Sequence, residues 1–137
     1  MFQLSRSQLM SRIRSRGNKN TELALIKLLS QHHITGWRRN QKVFGNPDFI
    51  FRRSRLAIFV DGCFWHGCPK CYIRPRSNKA FWDDKFARNK TRDSRVNREL
   101  RKLGWRVVRI WEHDLPRRSG MCIRRIQAAL KSRSAAR

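Results

Sequence analysis

Residues suited to metal chemistry are concentrated in one segment, FVDGCFWHGCPKC, at positions 59–71. Its cysteines follow the pattern C-x4-C-x2-C and are Cys63, Cys68 and Cys71. Thiolates at such spacing bind tetrahedral zinc, whereas three clustered cysteines packed only as small apolar side chains would be unusual in a reducing compartment. The candidates for the fourth ligand are His66, His113 and Cys122. The segment therefore predicts a structural zinc site.

The acidic residues of the chain are few, so their positions are informative. Asp48 opens the predicted strand DFIF, and Asp61 ends the next predicted strand, LAIFV. Acids at the start of one strand and at the end of its neighbour can meet over a divalent cation. Magnesium is bound by one or two carboxylates together with substrate phosphate, so the pair predicts a Mg²⁺ site.

A long helix is predicted for residues 80–103, and polar residues interrupt its inward stripe. The stripe consists of Trp82, Phe86, Asn89, Asp93, Val96, Leu100 and Leu103. An inward Asp is costly unless it is paired, so Asp93 is expected to meet a cation or a histidine. A salt bridge to one of the many arginines is the alternative. His66 is either a zinc ligand or a general base, and its neighbours in the sequence do not decide between the two.

The elements that must position these residues alternate between helix and strand. A helix in NTELALIKLLSQHH precedes strands in DFIF and LAIFV; the long helix, ended by Gly104, precedes the strand WRVVRIW and a final helix. This order predicts an α/β fold, a three-layer α/β/α sandwich with a mixed central sheet. We expect a basic arm at 1–19, a single domain at 20–132 and a basic tail at 133–137. Cys122 lies on the apolar stripe of the last helix and is expected to be a buried thiol.

The charge of the chain indicates its partner. Thirty-three Lys and Arg residues against nine Asp and Glu residues give a net charge of +24, which favours binding to a polyanion such as DNA. The arm carries Arg12, Arg14 and Arg16, which we expect to bind phosphates. No apolar run approaches the ~18 residues of a membrane-spanning helix, and the N-terminus lacks a signal-peptide pattern. We therefore predict a cytoplasmic, nucleoid-associated monomer without a membrane partner.

Five segments of the chain together resemble the very short patch repair endonuclease family. They are MSRIRSRGNKNTELALIKLL, GNPDFIF, FVDGCFWHGCPKC, FWDDKFARNKTRDSRV and LGWRVVRIWEHDL, and the match runs from about residue 10 to residue 115. Members of this family are bacterial nucleases that nick DNA at T:G mismatches. They have a restriction-endonuclease-like fold of the PD-(D/E)xK superfamily. The resemblance implies the same fold for this chain, with catalytic Mg²⁺ and structural Zn²⁺.

The resemblance also implies a catalytic role for several residues. Asp48 matches the Mg²⁺-binding aspartate, and Val60 occupies a position whose backbone carbonyl is a metal ligand. His66 matches the histidine that activates the attacking water, and Asp93 matches the aspartate that supports it. Glu22 matches an acid on the first helix that belongs to the same site. Asp61 replaces a histidine of the best-known members, so we expect it to touch the metal as well.

Further residues are implied as zinc ligands or DNA contacts. The family's zinc ligands fall on Cys63, Cys68, Cys71 and His113, which assigns His66 to catalysis. In the best-known members Cys and His are exchanged at positions 68 and 113, and Cys3His is kept. The aromatic residues that wedge into the DNA stack beside the mismatch correspond to Phe64, Trp65 and Trp82. Asn89 is a further expected DNA contact.

These inferences predict a Mg²⁺-dependent endonuclease that nicks one strand of double-stranded DNA at or near T:G mismatches. Mismatch-repair proteins are possible partners. Two alternatives stay open: a nuclease of the same fold from a mobile element or a defence system, without mismatch selectivity, and a non-catalytic zinc-stabilised DNA-binding module. For the aromatic residues the alternative to a wedge is burial in the core, which applies most to Trp82 because it begins the inward stripe.

Overall fold

The computed structural model describes residues 19–62 and 77–135, and the side chains of 21–62 and 77–131. This part of the chain alternates between helices and strands. In chain order they are α1 (Lys19–Gln31), β1 (Trp37–Arg39), β2 (Phe49–Phe51), β3 (Leu56–Asp61), α2 (Lys79–Lys102), β4 (Arg106–Trp111), α3 (Asp114–Arg117) and α4 (Ser119–Ala135). No helix in these ranges is long and apolar enough to cross a bilayer.

The strands form one mixed sheet in the order β1-β2-β3-β4. β1 pairs with β2 and β2 with β3 in antiparallel fashion, and Phe49 lies opposite Ile58. β3 and β4 are parallel, with Val60 opposite Ile110. A parallel pair needs a long crossover, and α2 lies in the connection from β3 to β4. The predicted mixed α/β architecture is therefore confirmed.

One face of the sheet is covered by α1, α3 and α4. Alternate residues of β3, Leu56, Ile58 and Val60, point into this face, as the two-residue period of a strand requires. They pack with a buried cluster from the other elements that includes Leu25, Leu29, Phe49, Ile110, Leu115, Cys122 and Ile126. Because these side chains are almost completely buried, this face forms the main hydrophobic core of the protein.

The other face of the sheet is covered by α2. Here the buried apolar residues are Ala57, Phe59 and Leu100, with the partly buried side chains of Val43, Val96, Trp105 and Val107 around them. Helices therefore pack on both faces of the sheet, as the sequence predicts. The apolar part of this face is small, because carboxylates occupy the end of the sheet nearest the carboxyl end of β3.

Two predicted details of α2 have different outcomes. Gly104 follows the C-cap residue Leu103 with φ of 90°, a left-handed conformation that favours glycine, so the predicted end of the helix is confirmed. The prediction that Leu103 faces inward is wrong, because the regular helix ends at Lys102 and the Leu103 side chain is 56% exposed.

Two short elements were not predicted from the sequence. β1 has three residues and α3 has four, too few for a periodic pattern to be recognised. The last helix extends to Ala135, so residues 133–135 are helical. The division of the chain into an arm, a domain and a tail stays a prediction.

Candidate active site

A cavity of about 370 Å³ lies between α2 and the ends of β2 and β3. Three carboxylates line it, one from each of three elements or their ends: Asp48, Asp61 and Asp93. Arg92, Arg95 and Arg109 line the same cavity. The structure thus brings together three of the four acids that the sequence analysis selected as site residues, and three arginines line the cavity with them.

Asp48 is held against the end of β3 by the antiparallel pairing of β2 with β3. Its backbone N–H donates to the carbonyl of Ile58 (3.0 Å), and its Oδ2 accepts a hydrogen bond from the backbone N–H of Val60 (2.8 Å). The residue is only 4% exposed. A buried carboxylate oriented by a backbone donor is preorganised, and Val60 lines the cavity beside it. Metal binding by these two residues stays a prediction.

The turn that leads into Asp48 is tightly packed against α2. Gly45 has φ of 81° and Asn46 has φ of 53°. A Cβ atom at Gly45 would overlap the side chain of Val96, so this turn fits the helix only with glycine there. The turn presents Phe44, which is 43% exposed, at the rim of the cavity.

Arg109 of β4 connects two of the three carboxylates. Its Nη1 lies 2.9 Å from Oδ1 of Asp61 and 3.7 Å from Oδ1 of Asp93. Its Nε donates to Oδ1 of Asn97 (2.8 Å), and its Cζ lies 4.1 Å from the centre of the Phe59 ring. Asp93 thus has the arginine partner that the sequence analysis gave as the alternative, while its predicted pairing with a cation or a histidine stays a prediction, because His66 lies outside the described residues.

Glu22 is not brought to this cavity. It lies on α1, on the opposite face of the sheet, and is 2% exposed. Its Oε1 accepts hydrogen bonds from Nη2 (2.7 Å) and Nε (3.2 Å) of Arg39 in β1. This ion pair accounts for the burial of the Glu22 carboxylate, and a catalytic role for Glu22 stays a prediction.

A comparison with known proteins identifies the family. The family model for DNA mismatch endonuclease Vsr matches residues 2–72, just over half of the chain. The chain belongs to the Vsr family. Over 130 residues, 93% of this chain and 87% of the relative, it is 33% identical to the type II nicking enzyme V.NmeDIP of Neisseria meningitidis serogroup C.

Two further relatives of this Vsr-family chain are matched over shorter stretches. The chain is 47% identical over 68 residues to the type II nicking enzyme V.NaeI of Lentzea aerocolonigenes, covering 50% of this chain and 41% of that protein. It is 37% identical over 93 residues to the DNA mismatch endonuclease Vsr of Escherichia coli K12, covering 66% and 59%. The family and the names of these relatives support an endonuclease activity on DNA.

The predicted DNA contacts on α2 of this Vsr-family chain are buried side chains. Trp82 is 6% exposed and stacks on Phe86 with the ring centres 6.0 Å apart. Asn89 is 9% exposed, and its Oδ1 accepts a hydrogen bond from Nη2 of Arg92 (3.3 Å). By contrast, Phe81 is 54% exposed beside Trp82. The unbound protein therefore holds Trp82 as a core residue, and contact of Trp82 or Asn89 with DNA stays a prediction.

Most of the predicted zinc site and several other predicted residues lie outside the described residues. They are Cys63, Cys68, Cys71, His66, Phe64, Trp65, Arg12, Arg14 and Arg16. Within residues 19–62 and 77–135, no group of three or more His, Cys, Asp or Glu side chains is arranged to hold a metal ion. The fourth predicted zinc ligand, His113, is described: its Nε2 lies 3.1 Å from Oδ1 of the buried Asp114. Cys122 is a buried free thiol, as predicted for it.

Sequence reasoning missed Arg109, which contacts two of the three carboxylates. Arg109 lies in the interior of the predicted strand WRVVRIW, between apolar neighbours. A charge in such a strand needs a buried partner, and this signal could have linked it to an acid. Phe44 and Arg95 gave no comparable signal, because an exposed aromatic residue or arginine beside a turn or on a helix is common.

Proposed function

We propose that this Vsr-family chain is an endonuclease that nicks one strand of double-stranded DNA at or near T:G mismatches, in very short patch repair. The observation that carries the proposal is the cavity in which Asp48, Asp61 and Asp93 meet under a rim of arginines. Carboxylates suit the chemistry of phosphodiester hydrolysis, and a chain with a net charge of +24 suits a DNA substrate. The bacterial cytoplasm is the proposed compartment.

We propose Mg²⁺ as the catalytic ion, held by the Asp48 carboxylate and the backbone carbonyl of Val60. Oxygen donors fit this hard cation, and the hydrogen bond from the Val60 N–H already fixes the orientation of the carboxylate. When bound, Mg²⁺ would polarise the scissile phosphate and stabilise the charge that develops on it.

The chain's own residues would supply proton transfer and phosphate binding. His66 is the proposed general base for the attacking water, and Asp93, at the cavity, is its proposed supporting carboxylate. Arg92 and Arg95 are exposed at the cavity rim, where they can contact phosphates on either side of the scissile bond. Such contacts position the DNA and carry no sequence information.

We propose a structural Zn²⁺ bound by Cys63, Cys68, Cys71 and His113. Histidine ligands usually donate their second ring N–H to a carboxylate, which fixes the tautomer. The contact between His113 Nε2 and Asp114 Oδ1 supplies such a carboxylate and leaves Nδ1 for a metal. Elemental analysis of the purified protein should find one equivalent of zinc, and Cys68→Ser should give unstable protein, because structural zinc binding is part of the folding free energy.

The mismatch assignment is supported by the name of the E. coli relative, a DNA mismatch endonuclease. Others are named type II nicking enzymes, which supports cleavage of one strand. A nicking assay on T:G-mismatched and fully paired duplexes of the same sequence, with Mg²⁺ or EDTA, tests the proposal. We expect Mg²⁺-dependent cleavage of one strand of the mismatched duplex.

The same assay separates the alternatives. Equal nicking of both duplexes would leave a nuclease without mismatch selectivity. Binding to both duplexes without cleavage under any divalent ion would leave a DNA-binding module. The aromatic residues Phe64 and Trp65 are proposed to wedge into the mismatched stack, so Trp65→Ala should weaken binding to the mismatched duplex more than binding to the paired duplex.

A further inference from the structure

The three carboxylates of the cavity differ in the contacts that the structure gives them. Asp48 is oriented by a backbone N–H of β3. Asp61 and Asp93 both face the same guanidinium nitrogen, Nη1 of Arg109, at 2.9 and 3.7 Å. The positive charge of Arg109 therefore lies between Asp61 and Asp93, while a neutral backbone N–H orients Asp48.

Arg109 is held in this position from several sides. Its Nε donates to Asn97 of α2, and its guanidinium carbon lies 4.1 Å from the centre of the Phe59 ring. The side chain is only 18% exposed. A planar guanidinium with a hydrogen bond at Nε and an aromatic ring against its face has little freedom to move away from Asp61.

This geometry bears on which acids are able to bind a divalent cation. Oδ1 of Asp61 accepts a charge-assisted hydrogen bond from Arg109, and its side chain is 9% exposed. For Asp61 to become a metal ligand through this oxygen, the buried Arg109 would lose its closest carboxylate and would lie beside a divalent ion of the same sign. Both changes are unfavourable in a site of low exposure.

We propose that Arg109 is a positioning residue that withholds Asp61 from the catalytic metal, so that the cavity takes one divalent cation, on Asp48. Arg109 supplies the positive charge on the Asp61 side, where a second ion would otherwise bind. This inference rests on the Mg²⁺ site of the proposed function and narrows its ligand set. It also opposes our sequence-based expectation that Asp61 touches the metal.

The test measures metal binding without reference to cleavage. Mn²⁺ is the probe, because the loss of its free-ion electron paramagnetic resonance signal counts the ions that bind to the purified protein. We expect one Mn²⁺ per chain at the cavity in the wild type. Asp61→Asn removes a neighbouring negative charge but no ligand, so it should weaken Mn²⁺ affinity clearly less than Asp48→Asn, which should weaken it by at least about 10-fold.

Removing the guanidinium should convert Asp61 into a ligand. Arg109→Met should bind Mn²⁺ at least about 10-fold more tightly or take up a second ion, and adding Asp61→Asn to this variant should remove the gain. Arg95→Met is the matched control, since it removes the same charge from an exposed side chain at the same cavity. The gain in Mn²⁺ affinity of Arg95→Met should be small, and adding Asp61→Asn to Arg95→Met should not reverse it.

The outcomes are distinguishable even if one variant folds poorly. Asp61→Asn is nearly isosteric and is the decisive single change: a loss of Mn²⁺ affinity equal to that of Asp48→Asn would make Asp61 a ligand and overturn the proposal. Equal gains in Mn²⁺ affinity for Arg109→Met and Arg95→Met would mean that any lost positive charge has the same effect, and this result would also overturn the proposal. If instead Asp48→Asn leaves Mn²⁺ binding unchanged, the metal site of the proposed function is wrong. If the Mn²⁺ affinities of the wild type and the variants are as expected but the protein does not nick DNA, the proposed activity is contradicted and the role of Arg109 is not.

Discussion

The two faces of the central sheet differ in what they bury. The face under α1, α3 and α4 buries a large apolar cluster in which Leu25, Leu29, Phe49, Ile58 and Ile110 are all at most 1% exposed. The face under α2 buries a much smaller one, formed by Ala57, Phe59 and Leu100. Next to this smaller cluster lie Asp48, Asp61, Asp93 and Arg109.

Because of this difference, one face of the sheet contributes most of the apolar burial and the other face holds the candidate active site. Because successive residues of a strand point to opposite faces, β3 places the side chains of Leu56 and Ile58 in the large core and those of Phe59 and Asp61 at the cavity. The large core stabilises the fold through apolar burial, and this allows the other face to hold several charges at close range. Substitutions on the two faces should therefore have different consequences.

The largest effect is expected at Asp48, on the cavity face. Asp48→Asn keeps an oxygen that can accept the Val60 N–H and removes the negative charge, so the fold should persist while nicking falls by ~10²-fold or more. Single-turnover nicking and thermal unfolding would measure the two quantities. Asp84→Asn is the control, because its side chain is 65% exposed and paired with Arg88 on the surface. A nicking rate for Asp48→Asn within a few-fold of that of the control would contradict the proposed site.

In the large core, a substitution is expected to lower stability and to leave the nicking rate unchanged. Leu29 is 0% exposed on α1, and Leu29→Ala should lower the free energy of unfolding by about 2–5 kcal/mol. The nicking rate per folded molecule should be unchanged at low temperature, because the residue lies on the far side of the sheet from the cavity. Leu23→Ala is the matched control on the same helix: this leucine is 46% exposed, and its loss should cost less than ~0.5 kcal/mol. Urea denaturation would show whether the two differ; similar losses would contradict the assignment of the core.

A smaller effect is expected in the turn that joins the two regions. Gly45→Ala adds a Cβ that would meet Val96 and imposes a φ of 81° on a residue with a side chain. Gly36 has φ of 93° with nothing within 4 Å of the added atom, so Gly36→Ala isolates the cost of the backbone conformation, about 1–2 kcal/mol. Gly45→Ala should cost more than this control, and nicking should fall because the turn leads into Asp48. Combining it with Val96→Ala should recover part of the stability; no recovery would argue against the collision.

The long elements of both faces could be predicted from the sequence because their apolar residues form recognisable patterns, a continuous run in β3 and a helical period in α2. The apolar run LAIFV and the four- and three-residue steps of α2 correspond to β3 and to a helix ending next to Gly104. The meeting of Asp48 with the end of β3 followed from the position of each acid at a strand terminus. Such positions are local properties of the sequence, and adjacent strands of a sheet convert them into spatial proximity.

The ion pairs could not be predicted, because they join residues far apart in the sequence. Arg109 and Asp61 are 48 positions apart, and which of the many arginines lies beside which acid depends on the register of β4 against β3. Glu22 illustrates the same limit: its type and helix position fit an active-site acid, yet the nearby strand β1 offers Arg39. Trp82 has the aromatic character of a base-stacking residue and the helical spacing of a core residue. In the unbound protein its side chain is buried, as the spacing predicts.

The smallest predicted effect concerns the thiol in the large core. Burial raises the pKa of Cys122 above its usual value, and the negative charge of Asp114 raises this pKa further. The folded state therefore holds the thiol proton more tightly than the unfolded state does. The stability that this contributes is fully present below the unfolded pKa of about 8.5 and is lost as the pH rises through the folded pKa.

Cys122→Ala should reveal this contribution, since it removes the titrating group and leaves the other ionisable residues in place. The wild type should be more stable than the variant at pH 7, because the buried sulfur fills space in the core and its Sγ lies 3.5 Å from the carbonyl oxygen of Asp114. This advantage should shrink above pH 9, by up to ~1.4 kcal/mol per pH unit, while titrating lysines affect both proteins equally. Urea denaturation at a series of pH values would measure the difference. A difference that stays constant from pH 7 to about pH 10 would mean that the thiol ionises alike in the folded and unfolded states, and that burial in the large core does not control it.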